Sequence, residues 1–282
     1  MPQSSQMMTE KRFPTERTLV EGFTFVDAPS SDSQWLPVAD RPNLLSYDLG
    51  SLDVSEGKVN TRLLTVRGRG EPDHRWLTQS AQFHFTYVFE GQVTFEFSAE
   101  GEAALRLNKG DSIIIPPGKV YREEFSHDYR CLELVVQWPE GGDSAASPLI
   151  DPSRTKPLVN RESKDAYIPG LRGCFLYREV GAMEATNNKV SGHIVRVAEV
   201  PEGGTGWHCH RGARIGVGIQ GWAEVVFDGH EPMLIVRESG NAVPPLLVHN
   251  AHRFSEDYML IEFGFPGVVE SIRREPSVSP AA

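Results

Sequence analysis

The chain has 282 residues, with 38 acidic side chains against 28 Lys and Arg, and a formal net charge of -10. This acidic balance argues against a nucleic-acid partner, because binding to phosphates needs clustered positive charge. No stretch approaches the roughly 20 apolar residues of a membrane helix, and we expect no signal peptide because residues 1–12 are polar. The three cysteines are widely spaced, so we expect reduced thiols in a cytoplasmic protein.

The first half of the chain is predicted to be a β domain. Residues 1–44 are interpreted as an N-terminal arm with lead-in strands, and the first domain runs from 45 to 139. Within it, Val93, Phe95 and Phe97 alternate with polar residues, which is typical of a strand with one buried face. The many Gly and Pro residues predict short strands separated by turns.

The second half is predicted to have the same organisation. A stretch rich in Gly, Ser, Pro and charged residues indicates a linker at 140–164, followed by a second domain at 165–270 and a tail at 271–282. Apolar, β-branched segments at 194–200 and 225–227 predict strands. The fold class predicted for the whole chain is all-β, with two tandem barrels.

An internal repeat relates the two halves. Phe-Ser-x-Asp-Tyr occurs at 125–129 and again at 254–258, an offset of 129 residues, and Gly91 matches Gly221 at nearly the same offset. A repeat of this length is a whole domain rather than one unit of a solenoid. The sequence therefore predicts a duplicated domain.

Each half resembles the cupin family, and the second half resembles it more closely. Its glycine-rich segment leads into His-x-His at Gly203–His210, and Gly221 follows at the family's spacing. The second cupin motif is matched by Gly240–His249, although Leu246 stands where the family has a glycine. The resemblance implies a bicupin, that is, two jelly-roll barrels in one chain.

The candidate metal ligands are three histidines of the second half. Residues i and i+2 of a strand point to the same face, so His208 and His210 are expected to enter the barrel together. His249 is the expected third ligand, with His252 as the alternative, because the strand register is uncertain by a residue or more. Imidazole donors suit Fe, Ni, Mn and Zn, so the sequence predicts a divalent transition metal without naming it, and a metal-free barrel stays an alternative.

Arg214 stands where cupins carry a glutamate ligand. An arginine cannot ligate a cation, but its guanidinium group matches a carboxylate. One hypothesis is that Arg214 binds a carboxylate of the substrate beside the metal. The alternative is a surface or salt-bridged arginine with no role in binding.

The first half keeps the barrel motifs but departs from the ligand pattern. His84 takes the glutamate position, Tyr121 takes the position of the last histidine, and His74 is the nearest candidate for the missing His-x-His. We therefore interpret the first site as degenerate, either structural or a metal-free pocket.

Three functions fit these features. The favoured one is a metal-dependent enzyme of the oxygenase or oxidoreductase type, acting on a small organic molecule, with an anionic molecule as one option. The alternatives are a non-catalytic protein that binds or senses a small molecule, and a metal-free isomerase. The resemblance also implies a homodimer as the candidate assembly.

Overall fold

The computed structural model describes residues 19–68, 74–137, 148–151, 153–170, 172–267 and 270–277. Parts of the predicted arm, linker and tail therefore lie outside the described residues. Among those described, no helix is long and apolar enough to cross a membrane. In the described ranges, regular helix is limited to α1 (Ser51–Val54), α2 (Ala182–Ala185) and a 3₁₀ turn at Lys164–Ala166.

The first half contributes eleven strands to the described part of the chain. These are β1 (Thr24–Val26), β2 (Leu36–Val38), β3 (Arg41–Asp48), β4 (Val59–Val66), β5 (Leu77–Thr78), β6 (Phe83–Glu90), β7 (Gln92–Phe97), β8 (Leu105–Asn108), β9 (Ser112–Ile114), β10 (Val120–Phe125) and β11 (Arg130–Val136). The alternation at Val93, Phe95 and Phe97 is a strand as predicted, with those three side chains buried.

The remaining strands begin within the predicted linker, with β12, and continue through the second half. They are β12 (Leu158–Asn160), β13 (Ile168–Pro169), β14 (Phe175–Glu179), β15 (Ser191–Val197), β16 (His208–Cys209), β17 (Ala213–Gln220), β18 (Trp222–Phe227), β19 (Met233–Val236), β20 (Gly240–Val243), β21 (His249–Phe254), β22 (Met259–Phe265) and β23 (Ile272–Arg273). The all-β prediction is confirmed.

The strands form two barrels, each made of two facing sheets. The first barrel has the sheet β12-β9-β6-β11-β4-β3-β2 opposite the sheet β5-β10-β7-β8. The second has β1-β20-β17-β22-β15-β14-β13 opposite β19-β18-β21-β16-β23. One apolar cluster fills each barrel.

A third apolar cluster joins the two barrels through the outer faces of their seven-stranded sheets. Phe263 of β22 lies against Phe83 and Phe85 of β6, with ring centroids 6.3 and 4.8 Å apart. All three side chains are fully buried. Alternation explains the arrangement: Ile261 and Phe263 point to the interface, while Leu260 and Glu262 point into the second barrel.

Each half also donates a strand to the other barrel. β1, from the N-terminal segment, pairs with β20, and β12, from the predicted linker, pairs with β9. Phe23, just before β1, packs on Phe227 of the second barrel with ring centroids 4.6 Å apart. The two barrels are therefore interlocked as well as packed together.

The repeated Phe-Ser-x-Asp-Tyr motif has a packing role that explains why it occurs with a glycine. Gly91 and Gly221 both have positive φ, at 67° and 63°. A Cβ at Gly221 would lie 2.3 Å from Oγ of Ser255, and one at Gly91 would lie 2.4 Å from Oγ of Ser126. Each barrel thus uses one glycine to bring a hairpin against the serine turn.

Candidate metal centre

His208 and His249 are held side by side by strand pairing. β16 and β21 pair antiparallel with these two residues in register, and their rings lie 4.2 Å apart between centroids. The glycine-rich loop fixes the approach: Thr205 N donates to Ala251 O at 2.9 Å, and Ala251 N donates to Thr205 Oγ1 at 3.1 Å. A Cβ at Gly204 would lie only 2.1 Å from Ala251 O, so the loop needs glycine there.

His210 completes the group from the segment that follows β16. Its ring centroid lies 5.1 Å from that of His208 and 5.3 Å from that of His249. The backbone carbonyl of His210 accepts a hydrogen bond from Leu246 N at 2.8 Å. Leu246 has φ of 66°, the left-handed backbone that favours glycine, so the turn of the second cupin motif is kept without the glycine.

The hydrogen bonds of the three rings define one tautomer. Nδ1 of His208 bonds to Gly206 O at 2.8 Å, Nδ1 of His210 to Glu270 O at 2.8 Å, and Nδ1 of His249 to Leu247 O at 2.9 Å. A carbonyl oxygen can only accept, so each Nδ1 carries the proton. Each neutral ring therefore has its lone pair on Nε2, which is free to act as a metal ligand.

Burial keeps these rings neutral. It lowers the pKa of His208 to about 2, and the neighbouring His249 and the charge of Arg172 lower it further, because protonating His208 beside them is unfavourable. It lowers the pKa of His249 to about 4, and it also lowers the pKa of His210. Neutral imidazole is the form that binds a metal.

The geometry of the group fits a transition-metal ion. One ligand atom from each of His208, His210 and His249 lies within 4.8 Å of the others, and within the described ranges no other set of three or more such residues meets that test. His252, the alternative third ligand, is exposed on β21 and is outside this group. Three neutral nitrogen donors suit Fe, Ni, Mn or Zn, and the identity of a metal stays a prediction.

Arg214 is buried in the second barrel. It lies on β17 with only 3% of its surface exposed, and its Nε is 3.6 Å from Oε1 of Glu262 on β22. Its Nη1 donates to Ala213 O at 3.1 Å, and burial lowers the pKa of its guanidinium. The predicted role of Arg214 in binding a substrate carboxylate stays a prediction.

Glu262 is a site residue that the sequence interpretation missed. Its carboxylate is close enough to raise the pKa values of His210 and His249 against the effect of burial. The internal repeat contained the signal, because Glu262 follows Glu133 by the 129 residues that separate the two Phe-Ser-x-Asp-Tyr motifs. Arg214 and Glu262 thus occupy the places that His84 and Glu133 occupy in the first barrel.

The first barrel fills the corresponding place with ion pairs. Glu133, 1% exposed, lies 2.7 Å from Arg41, 2.6 Å from Arg62 and 3.1 Å from Nε2 of His84. Burial alone would raise the pKa of Glu133, but Arg41, His84 and Arg62 hold it well below its usual value.

The other two predicted residues of the first site lie in different surroundings. The ring of Tyr121 is 6.3 Å from that of His84, within the barrel. His74 is exposed before β5 and, like His84, is outside the ligand group of the second barrel. The degenerate first site is therefore a buried, charge-paired cluster around Glu133.

A pocket of about 440 Å³ opens beside His208. Its lining includes Arg172, Thr205, Trp207 and Arg273. Nη1 of Arg172 donates to Thr205 O, and Nη2 donates to Ser271 Oγ, both at 2.8 Å. No local sequence motif pointed to this pocket, because its residues come together only through the fold.

Comparison with known proteins gives structural neighbours only. No family model matches the chain, and no curated protein matches its sequence. The fold resembles HEPD from Streptomyces albus, solved with its substrate 2-hydroxyethylphosphonate and Fe(II), with a TM-score of 0.63 and 10% identity over 89% of this chain and 77% of that one.

Two further solved structures resemble the chain. An oxalate decarboxylase from Lactobacillus farciminis, in complex with formate, gives a TM-score of 0.57 and 10% identity over 86% of each chain. A cupin 2 conserved barrel domain protein from Leptotrichia buccalis gives 0.52 and 9% over 84% of this chain and 99% of that one. The chain has the cupin fold, with two barrels in tandem.

Proposed function

We propose that this chain, a bicupin by fold, is a mononuclear transition-metal enzyme that acts on a small organic molecule in its second barrel. The observation that carries the proposal is the convergence of three neutral imidazoles, each with its Nδ1 bound to a backbone carbonyl. This arrangement presents three Nε2 lone pairs before any metal arrives, which is the pre-organisation that a metal site requires.

His208, His210 and His249 would hold the ion. A bound ion with three protein ligands supplies open coordination positions at which a substrate and either O₂ or water can bind. The chain's own contribution is to orient the rings through their Nδ1 hydrogen bonds. Glu262, beside the rings, would accept a proton at its carboxylate, and Arg214 at 3.6 Å would orient that carboxylate.

Oxygenation by O₂ is the reaction class that we propose to test first. In a dioxygenation both atoms of O₂ enter the product, so the substrate supplies the electrons and no further reductant is needed. The fold neighbour HEPD was solved with Fe(II) and a small organic substrate, which supports a choice of iron for the first reconstitution.

The test is metal content of the purified full chain by elemental analysis, before and after reconstitution with Fe(II), Ni(II), Mn(II) or Zn(II). We expect close to one ion per chain in the natural protein and none in the variant His208→Ala/His210→Ala. The matched control is His252→Ala, an exposed histidine on β21 that should leave the metal content unchanged.

Oxygen uptake with a library of small organic acids and alcohols then tests the reaction class. Absence of metal after every reconstitution would overturn the proposed enzyme. A bound metal without turnover of any kind would favour the alternative, a non-catalytic binding protein.

A further inference from the structure

The pocket beside His208 carries positive charge in a chain whose net charge is -10. Two arginines line it, Arg172 and Arg273, and among the residues that the structure describes its lining contains no Asp or Glu. Trp207 and His208 form part of the same wall, so a molecule in the pocket would touch a candidate metal ligand. A cavity of about 440 Å³ falls within the usual range for small-molecule sites.

Arg172 is positioned without being neutralised. Its two hydrogen bonds go to the neutral acceptors Thr205 O and Ser271 Oγ, and within the described ranges it has no ion pair with a carboxylate. A guanidinium group has five N–H donors, so the two bonds leave donors available to a ligand. Arg273 is exposed at the same pocket.

In the first barrel, the arginine at the position equivalent to Arg172 is neutralised by carboxylates. Arg41 precedes Gly50, the residue that caps α1, by the same number of residues as Arg172 precedes Gly181, which caps α2. Arg41 lies buried against Glu133, and its Nη1 is 3.7 Å from Glu123.

Only one of the two carboxylate partners has been replaced in the second barrel. The equivalent of Glu133 is Glu262, whose ion pair goes to Arg214. Glu123 pairs with Phe95 on β7, and the equivalent pair on β18 and β21 is Val225 with Ala251. An alanine therefore stands where the first barrel has Glu123. The positive charge of Arg172 is left to face the pocket.

We propose that Arg172 and Arg273 bind the oxyanion group of a small organic acid, a carboxylate or a phosphonate, in the pocket beside His208. The inference rests on the proposed function in one respect, since it takes this acid to be the substrate of the candidate metal centre. Guanidinium groups match both kinds of oxyanion, because they offer parallel N–H donors to two oxygens.

The test is ligand-observed NMR on the full chain, first stripped of metal by chelation and then reconstituted. The probes are malonate, methylphosphonate and the uncharged malonamide. Each of the variants Arg172→Gln and Arg273→Gln should weaken binding of the anions by about tenfold or more, because each removes charge-assisted hydrogen bonds. Malonamide should bind weakly to every variant.

The matched control is Arg253→Gln, which removes one positive charge from the outer face of the same barrel, where Arg253 pairs with Glu224. It should leave the affinities within about twofold, since exposed charges act weakly at a distance. Because Arg273 is exposed, Arg273→Gln should not disturb folding, and weaker anion binding in this variant cannot be explained by misfolding. Tighter binding of malonate than of methylphosphonate would identify the natural ligand as a carboxylate, and the opposite order would identify it as a phosphonate.

Equal binding of malonate and malonamide, or natural affinity in both arginine variants, would overturn the inference. If the anions bind in an arginine-dependent way to a chain that takes up no metal, the anion pocket is supported and the proposed metal enzyme is contradicted. Metal uptake together with anion binding that does not depend on the arginines would support the metal enzyme and overturn the anion pocket.

Discussion

At the scale of single residues, the carboxylate of Glu262 on β22 raises the pKa values of His210 and His249 against the effect of burial. Arg214, on β17, stands where cupins carry a glutamate, and its Nε lies 3.6 Å from Glu262. The charge of Arg214 lowers the pKa of His210 and would likewise oppose a bound cation, so we expect the carboxylate of Glu262 to offset the guanidinium. We therefore expect Glu262 to support the candidate metal centre through its charge, in addition to the proposed proton transfer.

We expect Glu262→Gln to weaken metal affinity by about 10–100-fold, as is usual for residues that support metal ligands. The variant leaves Arg214 unopposed. The double variant Arg214→Gln/Glu262→Gln should recover most of the affinity, because it removes both charges. Metal titration monitored by calorimetry measures the affinities.

Glu224→Gln is the control for this cycle, since Glu224 faces outward on β18 and pairs with Arg253. Natural affinity in Glu262→Gln would contradict the prediction. If the double variant binds metal no more tightly than Glu262→Gln does, the charge of Arg214 is not the cause of the lost metal affinity.

In the first barrel, the same position carries the buried ion pairs of Glu133. Removing one partner of a buried ion pair is costly, because the remaining charges stay buried without compensation. We expect Glu133→Gln to lower the free energy of unfolding by about 3–5 kcal/mol, measured by urea denaturation. The exposed-face control Glu224→Gln should cost about 1 kcal/mol or less.

The effect of Glu133 should depend on pH. The partners lower its pKa in the folded chain below the usual value of 4.5. Its stabilisation is therefore fully present above about pH 4.5 and is lost as the pH falls through the folded pKa. The difference in stability between the natural chain and Glu133→Gln should shrink in acid, and a constant difference from pH 7 to pH 3 would contradict this.

At the scale of strands, local pattern predicted most of what the structure contains. Alternation located β7, and the His-x-His spacing brought His208 and His210 together, because both signals are encoded within a few residues. The third ligand depends on the register between β16 and β21, which local pattern does not fix. In the structure His249 lies beside His208, and its role as the third ligand stays a prediction.

The strand exchange could not be predicted from local pattern. β1 and β12 are three residues each and lie in segments whose composition indicates an arm and a linker. Their partners, β20 and β9, are distant in the sequence, so pairing is decided by tertiary packing. The pocket arginines were missed for the same reason, since Arg172 and Arg273 approach each other only in the folded barrel.

At the scale of the whole molecule, the interlocked strands predict that the two halves cannot separate cleanly. We expect residues 1–142 and 143–282, produced as two chains in one cell, to co-purify in equal amounts. The shared apolar cluster between the sheets and the two exchanged strands hold them together.

The second half produced alone should be insoluble or unstable, because it lacks β1 and exposes the interface around Phe263. A stable second half that takes up metal by itself would show that the exchange is dispensable. Size-exclusion chromatography with elemental analysis of the eluted fractions distinguishes the two outcomes.

The exchange also bears on which mutations the chain can tolerate. Phe23 lies beside the first exchanged strand and packs on Phe227, whose ring in turn lies 5.5 Å from that of His249. A duplicate that no longer presents three histidines would ordinarily be free to accumulate changes. Here a change that displaces Phe23 would also withdraw support from a candidate ligand in the second half, so we expect the segment around β1 to tolerate few substitutions.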